Sequence, residues 1–134
     1  MEEEKKERKK HVLFLKLYLR SEANLHDHWT KARKRRLFQQ NMVAQQWYIE
    51  GVDIKPPVVV TLTRMAPRVL DDDNLVTAFK SIRDRVASLI IPGKKPGRAD
   101  NCKGIIWDYS QEKNKQYMVK ITIDPLPEED KKTT

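Results

Sequence analysis

Leucine occupies every second position from Leu13 to Leu19, with Val12, Phe14, Lys16, Tyr18 and Arg20 standing between and around. Side chains alternate across a strand with a period of two, so this pattern predicts a strand over residues 11–20 with one well-buried face. Such a strand must join a sheet, and the sheet must be covered by another layer.

The rest of the chain supplies both. Residues 28–50 contain no Pro or Gly and are rich in Gln, Lys, Arg, Ala and Met, which predicts a long helix ended by Gly51. Its first half is the run Lys31-Ala32-Arg33-Lys34-Arg35-Arg36, and its second half carries Phe38, Met42, Val43 and Trp47. After Pro56-Pro57, residues 58–64 read as a second strand, followed by a connector containing Pro67. From Asp72 or Asp73 to Ile90, a helical stripe of Leu75, Ala78, Phe79, Ile82, Val86 and Leu89 predicts one amphipathic helix. Residues 91–103 form a loop with Pro92, Gly93, Pro96 and Gly97. Residues 104–110 and 117–124 read as strands, joined through 111–116 as a hairpin. The order β-α-β-α-β-β implies a single α/β (α+β) domain, a mixed sheet packed with two helices. It spans residues 11–124, with charged, disordered tails at 1–10 and 125–134.

Charge narrows the partners. The chain of 134 residues has 27 basic and 19 acidic side chains, a net charge of +8, and the two ends nearly cancel one another. The excess therefore lies in the domain. A basic domain favours polyanions, chiefly nucleic acid; a basic protein with no such partner is the plainer reading. No apolar run approaches the ~18 residues of a membrane span, and the charged first ten residues lack the pattern of a signal peptide. The single Cys102 excludes a disulfide framework and a cysteine-only zinc site. These features suggest a reducing, cytoplasmic setting.

The sharpest local feature is Asp71-Asp72-Asp73-Asn74, between a strand and a helix. Helix starts favour Asp and Asn as caps, and acids in the first turn suit the macrodipole. Only one residue can be the cap, however, and three adjacent carboxylates repel one another. If the segment enters the helix extended, Asp71 and Asp73 point to one side. Carboxylates so placed suit Mg²⁺ or Mn²⁺, which take oxygen ligands. An EF-hand is excluded, because Val76 and Ile82 stand where its Gly and Glu belong.

Farther along, Asp73, Thr77, Lys80 and Asp84 share the face opposite the apolar stripe. This is either a solvated face with a weak Lys80–Asp84 pair or a cation set to meet a phosphate. Asp100 lies among Lys94, Lys95, Arg98 and Lys103; it is either a third metal ligand or an ordinary loop acid. The basic residues there, with Lys31, Arg33, Lys34, Arg35 and Arg36, suit a phosphate backbone or simply solubility. Trp29, Trp47, Trp107 and Tyr109 are candidates to stack on bases, or to fill the core. His26-Asp27-His28 is a weak metal pair, and Cys102 has no evident histidine partner. The P-loop, the nucleophile elbow and the H-E-x-x-H motif are absent.

The string Arg68-Val69-Leu70-Asp71-Asp72-Asp73-Asn74-Leu75, followed by an amphipathic helix, resembles the RusA-type Holliday-junction resolvases, in particular their divergent phage-like members. The resemblance covers residues 58–123, including the aromatic strand Trp107-Asp108-Tyr109-Ser110-Gln111. It implies a homodimeric, Mg²⁺-dependent endonuclease that cuts four-way DNA junctions in a bacterial cell or a phage-infected host. It places metal-ligand roles on Asp71, Asp73 and Asp100, with Asn74 and Asp72 supporting. Thr77 stands nearest the family's helix Lys, and Lys80 with Asp84 keeps the Lys-x-x-x-Asp spacing three residues later. Ala99 replaces the first member of the acid pair that ends in Asp100.

Overall fold

The computed structural model describes residues 9–21, 29–92 and 104–126. Its elements are β1 (His11–Leu15), α1 (Trp29–Ile49), β2 (Val58–Ala66), α2 (Asp72–Ala78), α3 (Lys80–Ile90), β3 (Ile105–Lys113) and β4 (Met118–Pro125). The strands form one mixed sheet in the order β1-β4-β2-β3. β4 runs antiparallel to both β1 and β2, and β3 runs parallel to β2. The architecture is α+β, as the element pattern predicts.

The helices cover one face of the sheet. Registers align Leu13 with Ile121 and Ile121 with Leu62, so these side chains lie in one row. They are fully buried with Val60, Val119 and Ile123 against Leu75, Phe79, Ile82 and Val86. α1 packs on α3 and β1, sealing the layer with Val43 and Trp47. On the opposite face the alternation leaves Val12, Phe14 and Ile106 exposed.

Gly51 ends α1 as predicted. Its φ is +64°, and Val52 N–H reaches Trp47 C=O at 3.2 Å while Gly51 N–H reaches Tyr48 C=O at 3.1 Å. This is the Schellman arrangement, which favours glycine because other residues are strained at positive φ.

Three expectations are corrected. Residues 104–124 do not form a hairpin: β3 and β4 flank β2 on opposite sides, so the strand between them takes the hydrogen bonds a hairpin would have used. The helix expected over 72–90 is two, α2 and α3, so the sheet carries three helices rather than two. The break falls at Phe79 (φ −87°, ψ 0°), whose N–H is shared between Leu75 and Val76 carbonyls at 3.2 Å each. Strand pairing in β1 stops at Leu15, although burial of alternate leucines continues to Leu19. In α1, Phe38 is 59% exposed and Gln39 is buried.

Candidate active site

β2 ends at Ala66, and residues 67–70 carry the chain to the start of α2. Two side chains hold this connector. Arg64 donates through one Nη to the Arg68 carbonyl at 2.7 Å. Gln111 accepts from Leu70 N–H and donates to Leu70 C=O, both at 2.8 Å. The residue before the acid string is thereby tied to β3.

Asp71 is the N-cap of α2 by backbone, with φ −60° and ψ 154°. Its carbonyl accepts from Leu75 N–H at 2.8 Å. Its carboxylate makes no capping hydrogen bond. Asp72 and Asp73 already belong to the helix, so the extended geometry expected through the string stops at Asp71. Helical steps of about 100° per residue then direct Asp72 and Asp73. All three acids are exposed, and Asn74 is half-buried. Among the described residues, no cation forms an ion pair with Asp71, Asp72 or Asp73. Thr77 Oγ1 donates to the Asp73 carbonyl at 3.0 Å.

The donor set is all oxygen and anionic, which fits a hard divalent cation. Among the described residues, no three His, Cys, Asp or Glu side chains are grouped as a metal site. The implied third ligand, Asp100, lies outside those residues. So do Ala99, Lys94, Lys95, Arg98, Lys103, His26, Asp27, His28 and Cys102.

Lys80 opens α3, and its Nζ lies 3.1 Å from Asp84 Oδ1. The ammonium is well exposed, so this pair adds little stability. On α1, Lys31, Arg33, Lys34 and Arg36 are exposed and Arg35 is half-buried. The four aromatics considered for stacking divide. Trp47 is core. Trp107 and Tyr109 lie under α3, with the Arg83 guanidinium 4.8 Å from the Trp107 ring centroid and donating to the Tyr109 hydroxyl at 2.9 Å. Trp29 is 64% exposed.

Sequence reasoning missed Arg64, Tyr18 and Tyr117. Arg64 is 6% exposed and donates through Nε to the Leu19 carbonyl at 2.8 Å. Burial pushes its guanidinium down from the usual value, and the Tyr18 and Tyr117 phenols oppose that shift. The two tyrosine rings pack at 3.9 Å between centroids. The signal was present: Val58, Val60 and Leu62 mark a buried face, and Arg64 falls on it. A charge on a buried face is the informative exception.

No protein-family model matches the chain, and no curated protein matches its sequence.

Proposed function

We propose that the chain is a RusA-like, metal-dependent endonuclease that cuts branched DNA by phosphodiester hydrolysis. The observation that carries this reading is the Asp71 carboxylate, which occupies the cap position without capping. Capping therefore does not account for Asp71, and the macrodipole alone is left to favour Asp72 and Asp73 in the first turn, where three exposed acids stand together. In a chain of net charge +8, carboxylates clustered without an ion-pair partner among the described residues suit a cation from solution.

Asp71, Asp73 and Asp100 are the groups to hold Mg²⁺ or Mn²⁺, with Asp72 and Asn74 supporting. A divalent ion held by these residues would supply Lewis-acid chemistry, activating water and offsetting charge on the phosphate. Lys80 offers an exposed ammonium beyond the acids for the phosphate or leaving oxygen. Lys31, Arg33, Lys34, Arg35 and Arg36, with Lys94, Lys95, Arg98 and Lys103, grip backbone phosphates, giving affinity and salt dependence with little sequence reading. A twofold homodimer would set two sites on a four-way junction; Val12, Phe14 and Ile106 offer apolar surface for it. Among the described residues, no helix is long and apolar enough to cross a membrane. The cytoplasm of a bacterial or phage-infected cell is part of the same proposal.

A second reading rests on Thr77 and Ala99, which depart from the family pattern. It is a nucleic-acid-binding module that keeps the fold without cleavage. A labelled synthetic four-way junction, incubated with and without Mg²⁺ or Mn²⁺, separates the two. The nuclease gives paired symmetric nicks that need metal and vanish in Asp73→Asn, with junction binding intact. Tight binding with no cleavage under either metal establishes the module instead.

A further inference from the structure

Where β2 ends and β4 begins, a cleft of about 510 Å³ opens beside the connector. Arg64, Arg68, Leu70, Tyr18 and Tyr117 line it, and among the described residues no acid does. Its volume falls in the range of ordinary small-ligand pockets, roughly 300–1,000 Å³.

The buried Arg64 is its informative member. A guanidinium carries five N–H donors. The Leu19 and Arg68 carbonyls take one each. Among the described residues, no carboxylate neutralises this cation. A buried charge without a counter-ion is expensive, and an anion from outside would supply one. The flanking groups narrow its nature. Tyr18 and Tyr117 are 47% and 41% exposed, so flat aromatic surface borders the cation. A second guanidinium, Arg20, lies 5.4 Å from the Tyr18 ring centroid. Cations beside aromatic faces recognise the two parts of a nucleotide, its phosphate and its base.

We propose that this cleft receives one nucleotide of an unpaired DNA strand, its phosphate on Arg64 and its base against the Tyr18–Tyr117 pair. The choice of DNA rests on the nuclease reading above. Position supports it, because Leu70 lines the cleft and Asp71 follows it directly. A nucleotide seated there brings its strand to the acid string. In paired DNA the base would first have to leave its stack, at a cost of a few kcal/mol. A branch point interrupts the stack and lowers that cost, so the cleft favours branched over continuous duplex DNA.

Fluorescence anisotropy in EDTA tests the cleft without cleavage. The probes are a labelled short oligothymidylate and a labelled duplex of equal length, with thymidine monophosphate as competitor. Tyr117→Ala and Tyr18→Ala should each weaken oligothymidylate binding by roughly fivefold to a hundredfold, the range for loss of one base stack. Duplex binding should stay within about twofold, and Tyr117→Phe should restore the single-strand affinity. Arg64→Lys, read only where thermal unfolding shows a folded variant, should also weaken the single strand. Unchanged oligothymidylate binding in both alanine variants overturns the proposal. So does equal loss for duplex, or displacement by thymidine monophosphate as effective as by unlabelled oligothymidylate, which would mark a free-nucleotide site. Metal-dependent junction cleavage is read separately. Cleavage with normal oligothymidylate binding in the tyrosine variants sinks the cleft alone; cleft binding without cleavage sinks the nuclease alone.

Discussion

Gln111 and Leu70, 41 residues apart in sequence, exchange two hydrogen bonds of 2.8 Å through one side-chain amide. The amide completes both backbone groups of the residue that precedes Asp71. It acts as a peptide surrogate, fastening the connector to β3 where no strand pairing reaches it.

Gln111→Ala should therefore do more than remove an amide. Two partly buried backbone groups lose their partners, for a destabilisation of about 1–3 kcal/mol in urea unfolding. The acid string loses its anchor, and, on the proposed nuclease reading, misplacement of its carboxylates by even an ångström costs roughly a hundredfold in rate. Single-turnover junction cleavage should fall by that order while junction affinity holds. A variant that is less stable yet cleaves at the parent rate would refute the positioning role.

Asp71→Ala should leave stability within about 0.5 kcal/mol, below the usual loss of a capping side chain. Its carboxylate makes no capping bond, and removing one of three crowded charges relieves repulsion. Cleavage should disappear. Denaturant titration checks the first outcome and the junction assay the second; a loss of 1–2 kcal/mol, the ordinary cap value, would restore capping as the reason for the residue.

Thr77→Lys restores the cation that the resemblance places on this helix. Thr77 is exposed, and Lys suits the last turn of a helix. The urea midpoint should hardly move, while cleavage rises by about tenfold or more. Lys80→Ala in parallel reports whether the exposed ammonium already present serves the phosphate. Unchanged rates in both variants would remove helix cations from the chemistry.

Gln39 and Ser81 are buried and hydrogen-bonded to each other between α1 and α3. Ser81→Ala strands the Gln39 oxygen and should destabilise by about 1–3 kcal/mol. The double variant Gln39→Leu with Ser81→Ala removes both polar partners and should recover most of that loss. Thermal and urea unfolding of the four proteins close the cycle. Additive losses would show that the bond does not couple the helices.

Much of the fold was legible because burial imposes periodicity. Leu13, Leu15, Leu17 and Leu19 are all buried, as their alternation predicts. The stripe from Leu75 to Val86 faces the core even though the backbone breaks at Phe79. That break hid because the apolar spacing runs through it without interruption. Strand partners were less legible. Alternation says which face is buried but not which neighbour shares the hydrogen bonds. Thr63 held the clue: though on the helix-free face, it is buried between neighbours on both sides, which marks β2 as a central strand. In the site, the acid string and basic runs were visible as charge. The missing cap bond at Asp71 is a matter of how one side chain is turned, and the meeting of Arg64 with Tyr18 and Tyr117 depends on contacts between distant segments; residue spacing encodes neither.

The placement of β2 between β3 and β4 bears on assembly. The short link at 114–117 spans the end of β2, where Asn114 N–H reaches the Ala66 carbonyl at 2.9 Å. The last two strands therefore cannot zip together locally as they leave the ribosome. β1 in turn pairs with β4 and with no other strand, as in His11 opposite Ile123. Every rung of the sheet joins segments far apart along the chain. Such a topology folds slowly for its size, and the strand made first waits for the strand made last before it has a partner.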